Sequence, residues 1–503
     1  MRERGTGPLS GLTYAIKDNI DYAGVPTTAG CPAFAYTPER SAAVVDLLEA
    51  AGARAAGKTN LDQFATGLVG IRSPYGICSS VFNSEYISGG SSSGSAVAVA
   101  SGQVDFALGT DTAGSGRVPA ACNNIVGLKP TPGLLSVEGV VPACRSLDCV
   151  SLLTRDIAMA SRVFQSLSPR GPTPAWAAGP FRFGILPAEQ REFFGDEDAE
   201  QLYLDSILRL EQAGGVAVEF DYEPFREVAQ LLYSGPWVAE RYAAVGDFIA
   251  AHRGETNPVV RDIVLDGAKY SAVDCFRALY KLEALRTVCA GVWSSIDCMC
   301  LPTTGTTYKI AAVEADPIRL NSNLGYYTNF VNLLNLAALA IPAGFRPNGL
   351  PFGITLVAPG YTDWALLDLA ARLEEVRVVV VGAHLTGQPL NRQLTERGAR
   401  LVKSCNTASS YRLYSLANTT PPKPGLVREP GFKGSGIAIE VWALPVRHFG
   451  SFVAMIPPPL GIGKVELEDG SREIGFICES AGLTGALEIT EFGGWLAWRK
   501  SLL

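Results

Sequence analysis

Residues 89–131 read GGSSSGSAVAVASGQVDFALGTDTAGSGRVPAACNNIVGLKPT, and this stretch is the most informative part of the sequence for predicting the fold. It holds two serine clusters flanked by glycine, separated by a small-residue segment, SAVAVASG, and an apolar segment, VDFALGTD. Small residues suit a helix that packs closely on its neighbours, and a continuous apolar run is typical of a buried strand. The sequence therefore predicts a helix and then a strand, with one serine loop before the helix and the other after the strand.

A lysine, Lys17, lies upstream in the apolar segment TYAIKDNI. Serines beside a buried lysine indicate acyl transfer of the Ser–Lys type, because a neutral amine can activate a hydroxyl. Burial lowers a lysine pKa by penalising the charged form. The whole chain has three histidines, His252, His384 and His448, which disfavours a Ser–His–Asp arrangement near the serines. From composition alone, a solvated lysine and ordinary glycine-rich turns remain the competing interpretation.

The second serine loop, GTDTAGSGR, places Ser115 among glycines directly after the predicted strand. Glycine lets the backbone turn sharply and approach a substrate closely. Successive N–H groups in such a loop can stabilise an oxyanion, an effect often worth about 3 kcal/mol per donor. A phosphate-binding loop is disfavoured, because GGSSSGS lacks the lysine and spacing of a P-loop.

Composition excludes several classes of partner. The chain has 503 residues and a net charge of −7, with 47% apolar and 18% charged residues. That length predicts two or more domains, and an acidic chain without a basic run argues against nucleic acid. No apolar stretch approaches the roughly 20 residues that span a bilayer, and MRERGTGPLS lacks a signal-peptide core. We therefore expect a cytoplasmic protein that acts on a small molecule, not on nucleic acid or membrane.

The eleven cysteines are scattered through the chain, which favours reduced thiols over a disulfide framework. Cys298 and Cys300 have C-x-C spacing in IDCMCLPTT, but no partner ligands stand at matching spacing. We interpret this pair as buried strand cysteines rather than a metal site. The sequence indicates neither a metal nor an organic cofactor.

Helical and strand-like segments alternate up to about residue 375, which predicts an α/β domain, residues 1–375, with a largely buried mixed sheet. Residues 41–51 have helical periodicity, with Ser41 as the expected N-cap. A second, β-rich domain is predicted over residues 376–503, beginning at VRVVVVGAHL. Within it, ELEDGSREI carries Asp-Gly between alternating segments, a hairpin signal.

The stretch 89–131 closely resembles the amidase signature, and the resemblance extends from Leu9 to about Leu373. It implies a catalytic lysine, a serine on a cis peptide bond and a nucleophilic serine. By motif these are Lys17 in AIKDN, Ser91 after Gly89-Gly90 and Ser115 in DTAGSGR. The implied mechanism passes protons from Ser115 to Ser91 to Lys17 while Ser115 attacks an amide carbonyl. The oxyanion hole would comprise the N–H groups of residues Thr112, Ala113 and Gly114.

Three further segments are similar to the allophanate hydrolase branch of this family: residues 7–42, residues 323–344 and the C-terminal tail, with its motifs VVGAHLTGQPLN and TPPKPGLVREPG. The resemblance implies hydrolysis of allophanate (urea-1-carboxylate) to ammonia and carbon dioxide. Tyr233 and Arg241 in YSGPWVAERY match that branch's contacts to the substrate carboxylate. An eight-residue spacing on one helix would leave them about 80° apart.

In that branch the tail resembles a γ-glutamylcyclotransferase-like fold and is expected to assist decarboxylation of the first product, N-carboxycarbamate. His384 in GAHLTGQPLN is the candidate for this step, because histidine moves protons near neutral pH. A structural role for His384 stays open. His448 in VRHFGSF is the competitor and is expected to pack between apolar elements.

Several alternatives stay open from the sequence. The chain could be another amidase-signature amidohydrolase, one component of an amidotransferase, or a truncated relative that only binds. The family normally has several dozen residues ahead of the catalytic lysine, whereas Lys17 here lies near the first residue. A homodimer and a functional link to a urea carboxylase are further expectations from the resemblance.

Overall fold

A computed structural model describes residues 7–502 of the chain. The chain divides into two compact units, Met1–Ala371 and Arg372–Leu503. The predicted α/β architecture with a mixed sheet and a separate β-rich C-terminal domain is confirmed.

The first unit is built on a ten-stranded sheet in the order β2-β1-β3-β5-β4-β9-β10-β8-β6-β7. Its strands are β1 (Thr13–Lys17), β2 (Arg54–Thr59), β3 (Phe106–Asp111), β4 (Val126–Lys129), β5 (Cys149–Thr154), β6 (Phe181–Ile185), β7 (Gly215–Glu219), β8 (Cys298–Pro302), β9 (Ala337–Phe345) and β10 (Pro351–Ala358). Pairing is parallel at both flanks, among β2, β1 and β3 and among β8, β6 and β7. The central pairs, from β3 to β8, are antiparallel.

Helices of the first unit pack on this sheet, α2 on β1 and β3, and α3 and α5 on β9 and β10. They are α1 (Ala43–Ala50), α2 (Ser93–Ala100), α3 (Arg117–Cys122), α4 (Ile157–Leu167), α5 (Glu197–Gln212), α6 (Glu223–Ser234), α7 (Trp237–Ala251), α8 (Pro258–Asp266), α9 (Ala272–Ala290), α10 (Ile310–Ala315), α11 (Arg319–Leu324), α12 (Phe330–Leu333) and α13 (Asp363–Ala371).

The stretch 89–131 folds as its pattern predicts. The small residues form α2, whose alanines allow close packing, and the apolar run forms β3, buried at every position. One detail was wrong: α1 begins after Ala42, which makes no side-chain cap, and Ser41 instead accepts a hydrogen bond from the Ala23 N–H.

The second unit contains a five-stranded sheet in the order β12-β15-β11-β17-β16 and a three-stranded sheet in the order β14-β13-β18. Its elements are β11 (Glu375–Val380), α14 (Arg392–Thr395), β12 (Arg400–Asn406), β13 (Tyr411–Ser415), β14 (Pro424–Arg428), β15 (Ala438–Pro445), α15 (Val446–Val453), β16 (Leu460–Glu466), β17 (Arg472–Cys478), β18 (Leu487–Glu488) and α16 (Trp495–Ser501). Strands β16 and β17 form the hairpin that Asp-Gly predicts.

Candidate active site

Lys17 ends β1, near the centre of the parallel flank, and is fully buried. Its Nζ lies 2.8 Å from Ser91 Oγ and 2.6 Å from Thr110 Oγ1. The Asn19 amide donates to the same threonine hydroxyl at 3.3 Å. The lysine nitrogen therefore faces two hydroxyl groups inside the unit.

Burial lowers the pKa of Lys17 from 10.5 to about 7. Negative charge from Asp62, Asp111 and Asp148 raises that pKa, but the loss of hydration outweighs it. The Asp62 carboxylate accepts hydrogen bonds from the N–H groups of Val69, Gly70 and Arg72. At neutral pH a substantial fraction of the Lys17 amine is therefore uncharged.

The two serine loops lie side by side. The Gly90–Ser91 peptide bond is cis, as the family resemblance predicts, and Ser91 precedes the first turn of α2. The Ser92 N–H donates to the Ser115 carbonyl at 3.2 Å, and the Ser92 hydroxyl donates to the Thr110 carbonyl at 3.0 Å. Both Ser91 and Ser115 are buried. The structure thus brings Lys17, Ser91 and the Ser115 loop into one region.

An internal ion pair braces the loop that carries Ser115. The Arg117 guanidinium donates to both Asp111 oxygens, at 2.9 and 3.0 Å, and both side chains are fully buried. Burial alone would raise the pKa of Asp111, but the Arg117 charge more than offsets this, so that pKa is lowered. The same carboxylate accepts from the N–H groups of Gly114 and Gly116, at 2.8 and 3.1 Å. The Gly114 N–H, expected in the oxyanion hole, is therefore engaged with Asp111.

The neighbouring residues of the loop are held from other elements. The Thr112 hydroxyl donates to Asp148 at 2.5 Å, and the Ala113 carbonyl accepts from the Thr328 hydroxyl at 2.7 Å. Gly114 has φ +135°, and a Cβ there would collide with Thr328 Oγ1. The conformation and the close approach together explain the glycine at this position.

Tyr233 and Arg241 meet, although the expectation of a single helix was wrong. Tyr233 lies near the end of α6 and Arg241 lies in α7. Gly235, which is extended, ends the first helix, and Pro236 is the N-cap of the second. The Arg241 guanidinium carbon nevertheless lies 5.5 Å from the Tyr233 ring centroid, and its Nη2 is 3.5 Å from the phenol oxygen. Its Nη1 donates to the Thr66 hydroxyl at 3.1 Å.

Arg241 is 2% exposed, and no carboxylate forms an ion pair with it within residues 7–502. Asp148 is near enough for the Arg241 charge to oppose the rise of its pKa, but it is not in direct contact with the guanidinium. A buried charge that is only partly offset favours a small anionic ligand beside it. A cavity of about 490 Å³ adjoins this pair, and Arg241 borders it through its contacts with two lining residues, Thr66 and Tyr233. The charged residues that line this cavity are Arg72, Asp262 and Asp266. Only the part of the cavity beside Arg72, Tyr233 and Arg241 has the positive charge that would bind a small anion.

His384 lines a separate cavity of about 240 Å³ in the second unit, together with Gln393, Lys423, Phe452 and Phe476. Burial lowers the pKa of the histidine, and the positive charge of Lys423 lowers it further. Its Nε2 lies 2.9 Å from Gln393 Oε1. With the Gln393 amide in this orientation its carbonyl oxygen accepts, and Nε2 of His384 is the donor in the contact.

The other residues singled out from the sequence lie away from both cavities. His448 lies on α15, is half-buried and does not line the His384 cavity. Cys298 and Cys300 are buried in β8, as predicted. Across residues 7–502, no cluster of three or more His, Cys, Asp or Glu side chains could hold a metal ion. In the same residues, no helix combines the length and apolar character needed to cross a membrane.

Sequence reasoning missed Thr110, Asp62 and Asp148. Thr110 and Asp111 are two polar residues at the end of the apolar strand β3. Their position directly before the serine loop could have indicated that they belong to the site. Asp62 lies 45 residues after Lys17 (62 − 17), and Asp148 lies 33 residues after Ser115 (148 − 115). No local sequence pattern therefore connects either aspartate to the site.

The profile of the amidase family matches residues 1–367, and that of the allophanate hydrolase C-terminal domain matches residues 376–500. Urea amidolyase of Lachancea kluyveri is 44% identical over 97% of this chain, which spans only 29% of that protein. Allophanate hydrolase of Kluyveromyces lactis has a solved structure that is 43% identical, with a TM-score of 0.70, and the match covers 99% of this chain and 89% of that one.

One component of the glutamyl-tRNA(Gln) amidotransferase of Symbiobacterium thermophilum is 34% identical over 78% of this chain and 87% of that protein. The urea amidolyase and allophanate hydrolase matches, by contrast, cover nearly the whole chain, including the second unit.

Proposed function

Because the chain belongs to the amidase family of amidohydrolases and carries an allophanate hydrolase C-terminal domain, we propose that it hydrolyses allophanate to ammonia and carbon dioxide. The observation that carries this proposal is the buried guanidinium of Arg241, which forms no direct ion pair with a carboxylate in the described residues and contacts Tyr233 and Thr66 instead. Allophanate is a urea bearing a carboxylate, and its anionic end would form such an ion pair.

The first step uses Lys17, Ser91 and Ser115. Neutral Lys17 accepts the Ser91 proton across their 2.8 Å contact, and Ser91 accepts the Ser115 proton. Ser115 then attacks the terminal amide carbon of allophanate. Ser91 returns a proton to the departing nitrogen, so ammonia leaves and an acyl ester remains on Ser115. Water hydrolyses this ester to N-carboxycarbamate.

The oxyanion of the tetrahedral intermediate would be stabilised by N–H groups of Thr112 and Ala113, because the Gly114 N–H donates to Asp111. The hydrogen bonds of Thr112 to Asp148 and of Ala113 to Thr328 support this assignment, since they orient the loop without using those N–H groups.

Arg241 and Tyr233 would bind the substrate carboxylate. A guanidinium can donate two parallel hydrogen bonds to a carboxylate, and a phenol can donate a third. The contact between Arg241 and Thr66 Oγ1 supports this role, because it orients the guanidinium.

For residues 376–503 we propose a second step, decarboxylation of N-carboxycarbamate. The C–N bond breaks, carbon dioxide leaves, and the nitrogen takes up a proton to give carbamate, which decomposes to ammonia and carbon dioxide. His384 would handle that proton, and Lys423 would offset the negative charge of the substrate in the same cavity.

We further propose a cytoplasmic enzyme with a functional link to a urea carboxylase, which would supply its substrate. The urea amidolyase relatives support this link, since the chain matches less than a third of their length. A homodimer remains a proposal from the family resemblance.

Ammonia release from allophanate by the purified chain tests the function. We expect Ser115→Ala to abolish release while allophanate still binds, because only the nucleophile is lost.

Arg241→Met should raise KM for allophanate at least tenfold, since a charge-assisted contact is worth about 1.5–3 kcal/mol. The exposed Glu211→Ala serves as a control that keeps wild-type kinetics. Comparable turnover of several unrelated neutral amides would instead support a general amidase, and complete inactivity of the folded chain a binding protein.

A further inference from the structure

Two functional residues of the first unit are connected through a short turn, residues 143–148. The turn follows a buried segment and exposes Arg145 and Ser146 at its tip, while Cys144 and Asp148 are buried. It lies between the loop that holds Thr112 and the helix that holds Arg241.

The Asp148 carboxylate closes the base of this turn. It accepts from the N–H groups of Ala143 and Cys144, at 3.0 and 3.2 Å, and from the Thr112 hydroxyl at 2.5 Å. Burial raises the pKa of Asp148, whereas the charge of Arg241 opposes that rise. The position of the turn therefore sets the position of the Thr112 side chain.

A second carboxylate, Glu240, holds the tip of the turn. Its oxygens accept from the Ser146 N–H and hydroxyl, both at 2.7 Å, and from the Cys144 thiol at 2.9 Å. Glu240 and Arg241 are consecutive on α7, so their side chains leave the helix about 100° apart. Glu240 therefore contacts the turn, while Arg241 contacts Thr66.

We propose that Glu240 is a positioning residue that fixes the helix bearing Arg241 relative to the loop bearing Thr112. The contacts run from Arg241 along the helix to Glu240, across the turn to Asp148, and on to Thr112. Glu240 thereby sets the distance between the group that binds the substrate carboxylate and the group that stabilises the oxyanion. This inference rests on the proposed roles of Arg241 and Thr112.

The chemistry of a short substrate explains why such a link matters. In allophanate one nitrogen separates the carboxylate from the amide carbon that is attacked, so a small displacement of Arg241 moves the reacting carbon. Misplacement by about 1 Å can cost on the order of 100-fold in rate. A neutral substrate makes no ion pair with Arg241 and would not depend on this link.

The test compares Glu240→Ala and Glu240→Gln on allophanate and on biuret, in which an uncharged amide replaces the carboxylate. Biuret is assayed as a substrate or, without turnover, as a competitive inhibitor. We expect Glu240→Ala to lower kcat/KM for allophanate at least tenfold, through both a lower kcat and a higher KM, while KM or Ki for biuret stays within twofold. Glu240→Gln should restore most of the lost kcat/KM, because its amide oxygen can still accept from Ser146.

A double variant separates positioning from a general loss of structure. In an Arg241→Met background, Glu240→Ala should add no further fall in kcat/KM, because the group it positions is absent. Equal losses for allophanate and biuret, additive effects in the double variant, or unchanged kinetics of Glu240→Ala would each overturn the inference. Failure of this inference can be told apart from failure of the proposed function, because in the second case the wild-type protein would release no ammonia from allophanate.

Discussion

At the scale of single residues, Lys17 illustrates how burial serves chemistry. Its amine is fully enclosed, and the cost of desolvating a charge lowers its pKa to about 7 despite three nearby carboxylates. A solvated lysine would be almost entirely protonated at neutral pH and could not accept a proton. The amine lies within hydrogen-bond distance of the Ser91 and Thr110 hydroxyl groups.

The pH profile of the reaction should report this group. Only the uncharged amine of Lys17 can accept a proton, so we expect kcat/KM to rise with pH through an apparent pKa of about 7 and then level off. Steady-state kinetics between about pH 5.5 and 9 measure this, with protein stability checked at each pH. A profile that is flat below pH 7 would rule out Lys17 as the base.

At the scale of elements, the loop from β3 to α3 is held by its own ion pair and by the turn that carries Thr328. Asp111 and Arg117 lie at the two ends of the loop and pair without solvent, which leaves little freedom to the residues between them. Breaking such a pair by removing one partner typically costs about 3–5 kcal/mol. The ion pair and the Gly114 and Gly116 hydrogen bonds therefore restrict the backbone on both sides of Ser115.

Gly114→Ala should disturb this element strongly. The new methyl group would collide with Thr328, and φ at +135° is strained for alanine, so we expect at least a tenfold fall in kcat and lower stability. Gly133→Ala is the matched control, because φ there is +79° and no atom lies within 4 Å of the added Cβ. Thermal unfolding and kinetics of both variants measure the effect, and equal behaviour would show that the Thr328 contact is unimportant.

At the scale of the whole molecule, each unit has a core of its own and one candidate site. The second unit buries its own apolar cluster, including Val380, Leu413 and Trp442, and encloses the His384 cavity. The first unit holds the lysine, the serines and the arginine. The proposed chemistry divides in the same way, with amide hydrolysis in one unit and decarboxylation in the other.

His384→Ala should separate the two steps in the full chain. Ammonia from amide hydrolysis should appear at the wild-type rate, while carbon dioxide and the second ammonia lag, so that early stoichiometry approaches one ammonia per allophanate. Time courses of ammonia and carbon dioxide from the same reaction measure this. His448→Ala, in the same unit but outside the cavity, is the control. Unchanged stoichiometry in His384→Ala would contradict a role in the second step.

Local sequence patterns were enough to predict several elements and the chemical groups of the first candidate site. Small-residue content predicted α2, a continuous apolar run predicted β3, and Asp-Gly between alternating segments predicted the β16–β17 hairpin. Each of these signals is contained in a short stretch of sequence. The amidase motif placed Lys17, Ser91 and Ser115 in a catalytic set whose roles remain predictions, and the burial of Lys17 follows from its apolar strand.

Contacts between distant side chains became visible only in the folded chain. Tyr233 and Arg241 come together across a helix break, and Thr112 meets Asp148 from a turn 36 residues away. The expected single helix failed because Gly235 and Pro236 interrupt it. Local patterns specify how a segment folds, but contacts between distant segments depend on how the sheet and helices pack, which no short stretch of sequence encodes.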